Sequence, residues 1–113
     1  MSRLIPALLA GCTVIVKPSP DTPLDALLLA EIIDDAGLPE GVVSIIPTSV
    51  EDSEHLVSHP DVDMVTFTGS TPVGRAIGAA CGGQMKRVAL ELGGKSAAII
   101  LDDANLDKTV AGL

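Results

Sequence analysis

Apolar and polar residues follow two different rhythms along the chain. "CTVIV" (12–16) is a continuous apolar run rich in β-branched residues, the pattern of a strand covered on both faces, and "VVSII" (42–46), "DMVTFTGS" (63–70) and "KRVALEL" (86–92) are also predicted as strands. Between them the spacing becomes helical. "TPLDALLLAEIIDDAG" (22–37) carries Leu24, Leu27, Leu28 and Ile32 on one stripe, which is predicted to face a core. Thr22 is placed as its N-cap, Pro23 at its first helical position, Asp25 as the closing member of a capping box and Gly37 as its stop. "SVEDSEHLVSH" (49–59) predicts a short acidic helix ended by Pro60. "STPVGRAIGAAC" (70–81) predicts a helix stopped by Gly82 and Gly83. "PALLAG" (6–11) closes a first helix at Gly11, "AAIIL" (97–101) predicts a fifth strand, and "NLDKTVAGL" (105–113) predicts the start of a last helix.

Strands separated by short helices imply right-handed βαβ units, so the predicted class is α/β, a mostly parallel sheet with alternating helices. No repeat or flexible linker divides the 113 residues. A single domain of that size buries about two thirds of its unfolded surface, which predicts a compact molecule with a nearly all-aliphatic core.

Composition narrows the function classes. With 47% hydrophobic residues and Phe67 as the single aromatic, the chain is too apolar for disorder and lacks the apolar run of about 18 residues that a membrane helix needs. A net charge of −8 argues against nucleic acid or an anionic membrane as partner, so any anionic ligand must be held by local groups. Cys12 and Cys81 form no C-x-x-C and no zinc spacing, which fits a reduced, cytoplasmic protein. "MSRLIPALLAGC" resembles a lipoprotein signal ahead of Cys12. Pro6 interrupts its short apolar run, however, and a buried strand rather than a polar tether is predicted to follow.

In parallel sheets ligands sit at the carboxyl ends of the strands, and three segments fall there. Lys17 ends "TVIV", where its ammonium can reach a sugar hydroxyl or phosphate; a solvated lysine ending a strand has the same sequence. In "FTGSTPVG" (67–74), Gly69 lets backbone approach a ligand, Ser70 or Thr71 caps the helix, and Pro72 occupies a position whose missing N–H costs nothing. The helix start then offers free amides to a diphosphate, although an ordinary capped helix reads alike. Glu91 ends "VALEL" ahead of Gly93 and Gly94, an arrangement in which a flat ligand can lie on backbone beside one proton-accepting carboxylate. Working as a base near neutral pH would require desolvation by the apolar strand end; the alternative is a structural pair with Lys95 or Lys86. His55 and His59 lack a third metal ligand, and Asp102, Asp103 and Asp107 lack the glycine and terminal glutamate of a calcium loop. No metal site is predicted.

Taken together, "LLAGCTVIVKPSPDTPLDALLLAEIIDDAGLPEGVVSIIP", "VDMVTFTGSTPVGRAIG" and "KRVALELGGKSAAIILDDANLD" resemble the middle section of the NAD(P)-dependent aldehyde dehydrogenase superfamily over essentially the whole chain. The resemblance implies a partial Rossmann-like, dinucleotide-binding domain at residues 1–113, binding NAD or NADP. It implies that Lys17 contacts the adenosine ribose, that Gly69, Ser70, Val73 and Gly74 hold the diphosphate and adenine, and that Leu92 touches the nicotinamide end. Glu91 becomes the general base that activates water against a cysteine thioester, so that an aldehyde leaves as a carboxylic acid. The resemblance also implies a catalytic cysteine and an oxyanion-stabilising asparagine outside this sequence, for which Cys12 and Cys81 are not substitutes. By itself the chain is then expected to be inactive, a nucleotide-binding remnant being the alternative, and to form oligomers only with further segments. Pro20 stands where many NAD-preferring members have a ribose-gripping glutamate, which leaves NAD against NADP open. "PTSVEDSEHL" lacks the glycine-bearing turn of relatives and is less accommodating to phosphate.

Overall fold

The computed structural model describes residues 3–94 and 97–112. It contains, in order, α1 (Leu4–Leu9), β1 (Val14–Val16), α2 (Leu24–Asp35), β2 (Val43–Ile45), α3 (Val50–Ser58), β3 (Met64–Thr68), α4 (Thr71–Gly83), β4 (Arg87–Glu91) and α5 (Leu106–Gly112). The alternation expected of an α/β fold is present, and both strand pairs are parallel. They form two separate two-stranded sheets rather than one, β1 with β2 and β3 with β4. In the first, Val14, Ile15 and Val16 face Val43, Ser44 and Ile45. In the second, Met64 to Thr68 run in register with Arg87 to Glu91. Each pair is joined by a single helical crossover, α2 or α4.

Local chemistry explains most boundaries. Gly11 adopts φ 80° and Gly37 φ 66°, left-handed conformations that an L residue resists, so α1 and α2 stop where glycine stands. Ser49 caps α3 by accepting from the amide of Asp52 at 3.1 Å. The expected cap of α2 does not form. Thr22 is engaged in a turn in which its amide donates to the Ser19 carbonyl at 3.2 Å, and Pro23 already has helical dihedrals and becomes the N-cap without a side-chain bond. No capping box with Asp25 results.

Packing departs further from expectation. The predicted core stripe of α2 is exposed, with Leu24 at 74%, Leu28 at 58% and Ile32 at 52%. The helix turns a smaller apolar face inward, burying Ala26 and half-burying Leu29, Ala30 and Ile33 against β2. "LDALLLAEIIDD" is apolar on more than one face, and its period alone does not say which face meets the sheet. "AAIIL" is not a strand: no described strand hydrogen-bonds to it, and Ile99, Ile100 and Leu101 are exposed.

The expected compactness is also absent. Leu4, Ala26 and Cys81 are the buried hydrophobic residues among those described. The radius of gyration is 18.9 Å, against about 13 Å for a compact domain of this length. The accessible surface is 8730 Å², where a compact protein of this mass exposes roughly 5800 Å². Among the described residues α1 and α2 pack on the first strand pair and α4 on the second, and the strand residues Ile15, Met64 and Val88 remain exposed.

Candidate functional site

The carboxyl ends of β3 and β4 meet at one rim. Register pairs Thr68 with Glu91, and the amide of Gly69 donates to the Glu91 carbonyl at 3.0 Å, so the turn after β3 is stitched to the last residue of β4. Gly69 lies under the Phe67 ring: a Cβ there would stand 2.5 Å from the ring's Cζ. Ser70 takes the N-cap position of α4, but its hydroxyl makes no capping bond. The amides of Thr71 and Val73 have no partner among the described hydrogen bonds, and Pro72 between them has none to offer. These donors carry the positive end of the helix dipole.

The chain after β4 folds against the same turn. Gly74 is buried, and a Cβ on it would stand 2.3 Å from Cδ2 of Leu92. Gly74 therefore acts here as the gap that lets Leu92 lie against α4. A Cβ on Gly93 would stand 3.4 Å from Thr71 Oγ1. Gly69, Ser70, Val73, Gly74, Glu91 and Leu92 thus belong to one cluster.

The Glu91 side chain is 64% exposed and accepts from the guanidinium of Arg3 at 2.7 Å. The desolvated strand end expected around it is not provided by the described residues. Its partner is neither of the expected lysines: Lys86 donates to backbone carbonyls of Val57 and His59, and Lys95 lies outside the described residues. Arg3 precedes α1, a helix 88 positions away, and nothing in the spacing announces it. The Gly11 turn reverses the chain so that α1 packs on β1, which sets Arg3 towards the carboxyl end of that strand. Lys17 follows β1 at this end, half-buried; the contacts that define the rim do not include it. Pro20 is exposed in the turn before α2.

A groove of about 360 Å³ lies between α3 and α4, lined by Ser53, Glu54, Val57, Ser58, Ala76, Ile77 and Ala80. Ala76 and Ile77 lie one turn beyond Val73. A second groove, beneath α2 and beside Val43 and Ile45, lies away from these residues. The thiols are distant from Glu91. Cys81 is buried near the far end of α4, roughly 15 Å along the helix axis from Thr71, and Cys12 precedes β1. Among the described residues no group of three or more His, Cys, Asp or Glu side chains could hold a metal ion, and no helix is long and apolar enough to cross a membrane.

Residues 1–113 match the aldehyde dehydrogenase family over their whole length. The chain belongs to that family. Geranial dehydrogenase of Castellaniella defragrans is 54% identical to this chain over 111 residues, covering 98% of it and 23% of the relative. The crystal structure of an aldehyde dehydrogenase from Bartonella henselae superposes with a TM-score of 0.83 at 49% identity, over 96% of this chain and 23% of that one. The Mycobacterium tuberculosis aldehyde dehydrogenase complexed with NAD+ gives a TM-score of 0.81 at 55% identity, over 90% and 21%. The chain therefore spans about a quarter of the length of these relatives.

Proposed function

We propose that the chain forms the dinucleotide-binding part of an NAD(P)+-dependent aldehyde dehydrogenase, with Glu91 as the general base of its hydrolytic step. The observation that carries this reading is the parallel β3–β4 pair, which puts the unsatisfied amides of the Ser70 helix start and the Glu91 carboxylate on one rim.

The residues fit a dinucleotide. The free Thr71 and Val73 amides suit diphosphate oxygens, and the apolar groove beyond Val73 has the volume and lining for an adenine ring. Lys17 can hydrogen-bond a ribose hydroxyl, and Leu92 offers an apolar surface to the nicotinamide end. With Pro20 in place of a carboxylate, nothing at that position repels a 2′-phosphate, so both NAD and NADP remain candidates. Bound there, the dinucleotide would supply the hydride acceptor that turns an aldehyde into the acid level of oxidation. Glu91 then takes a proton from the water that attacks the acyl thioester, the C–S bond breaks to release the carboxylic acid and return the thiolate, and the exposed Glu91 passes its proton to solvent. Arg3 holds the carboxylate at the rim meanwhile.

The thiol that forms the thioester is assigned to residues outside these 113, because Cys81 is buried far along α4 and Cys12 lies before β1. The same placement favours a second reading for the chain acting by itself, nucleotide binding without turnover. Calorimetry of the chain with NAD+ and NADP+ tests the proposal. Saturable binding weakened by Lys17→Ala and unchanged by Glu91→Gln is expected; no saturable binding of either dinucleotide would overturn it. Aldehyde oxidation by the chain alone, abolished by Glu91→Gln, would overturn the assignment of the thiol.

A further inference from the structure

Helix α3 ends at Ser58, with His59 already extended, and the last carbonyls of a helix have no partner within it. Three are satisfied from one place, the turn between α4 and β4. Gln84 Nε2 donates to the Ser58 carbonyl at 3.0 Å. Lys86 Nζ donates to the Val57 carbonyl at 3.0 Å and also to the carbonyl of His59. Cations are favoured at helix carboxyl ends, and this one is half-buried.

The turn itself is fixed to α4. The amides of Gln84 and Lys86 both donate to the carbonyl of Cys81, at 3.1 and 2.9 Å, and Cys81 is fully buried. Met85 between them adopts φ 56°, a conformation a non-glycine residue keeps only where its surroundings impose it. The turn therefore ties the end of α3 to the end of α4. Val57 and Ser58, whose carbonyls it holds, are also walls of the α3–α4 groove, facing Ala76, Ile77 and Ala80.

We infer that Lys86, with Gln84 beside it, is a positioning residue that sets the width of the α3–α4 groove and so the chain's affinity for the adenine half of a dinucleotide. This rests on the reading above that the groove takes adenine. Replacing the ammonium leaves the Val57 carbonyl unbonded, while the His59 carbonyl keeps the Val62 amide at 3.1 Å, and frees α3 to move away from α4.

The test uses the 113-residue chain, with AMP and NAD+ titrated by calorimetry and amide exchange followed by NMR. Lys86→Met is expected to weaken both ligands roughly tenfold, about 1.4 kcal/mol, and to speed exchange at the end of α3 while the β3 and β4 amides keep their protection. Lys86→Arg, which keeps the charge and two donors, is expected to restore both. Should Lys86→Met unfold the chain, Gln84→Ala carries the same test and is expected to weaken AMP about threefold. Equal AMP affinity in the wild type and the folded variant would overturn the inference, as would a loss that Lys86→Arg does not recover. A wild-type chain that binds neither AMP nor NAD+ would overturn the dinucleotide reading itself, and this inference with it.

Discussion

Gly69 and Gly74 make the same demand on their neighbours and should answer substitution differently. At Gly74 a new Cβ meets the two terminal carbons of Leu92, a side chain exposed enough to rotate away. Alanine gains about 0.5–1 kcal/mol of helix propensity there. Gly74→Ala is therefore expected to leave unfolding in urea within about 1 kcal/mol of wild type, while abolishing nuclear Overhauser contacts between Leu92 methyls and α4. At Gly69 the obstacle is the Phe67 ring, with three of its atoms inside 3.4 Å, and a ring must swing as a unit. Gly69→Ala is expected to cost about 1–2 kcal/mol, and Phe67→Leu in the same chain to recover most of it. Arg3→Met removes an ion pair whose side chains are 51% and 64% exposed, so its effect on stability is expected to stay below about 1 kcal/mol. The rim residues Gly69, Ser70 and Glu91 were legible because strand ends, glycines and capping residues carry local signals. Arg3 was not, because an ion pair between residues 88 positions apart leaves no trace in either neighbourhood.

Among the elements, the two helix starts separate a cap that is used from one that is only spelled. Ser49 accepts from Asp52, so Ser49→Ala is expected to cost about 1 kcal/mol. Thr22 caps nothing in the structure, so Thr22→Ala is expected to be neutral, both substitutions being read by thermal unfolding. Turn chemistry and period located every described helix, since capping residues and 3.6-residue spacing are properties of the segment alone, but α4 runs through Gly82 and Gly83, its expected stops, to a Gln84 cap. The side on which α2 packs was not legible, because Leu24, Leu27, Leu28 and Ile32 compete with Ala26, Ala30 and Ile33 and the choice belongs to the partner layer. The same holds for "AAIIL", whose β-branched run has strand propensity while nothing described pairs with it. Propensity proposes a strand; only a neighbour completes one.

For the whole molecule, composition foresaw an aliphatic chain but not its openness. A surface of 8730 Å² keeps large side chains in water that a second layer would otherwise cover. The outer stripe of α2 is one such feature, with Leu24, Leu27, Leu28 and Ile32 exposed, and exposed apolar area of this kind drives association. Leu24→Lys with Leu28→Lys is expected to lower the sedimentation-average mass at a given concentration while leaving helix content by circular dichroism unchanged. An unchanged mass would show that α2 takes no part in association.

The two parallel pairs also bear on how the polypeptide is made. Each is closed by one crossover, residues 14–45 for the first and 64–91 for the second, so neither waits for distant chain to complete its ladder. Synthesis proceeds from the amino terminus and units fold as they emerge. A nascent chain can therefore finish β1–α2–β2 before β3 has left the ribosome, whereas the Arg3 to Glu91 contact must wait until β4 is out.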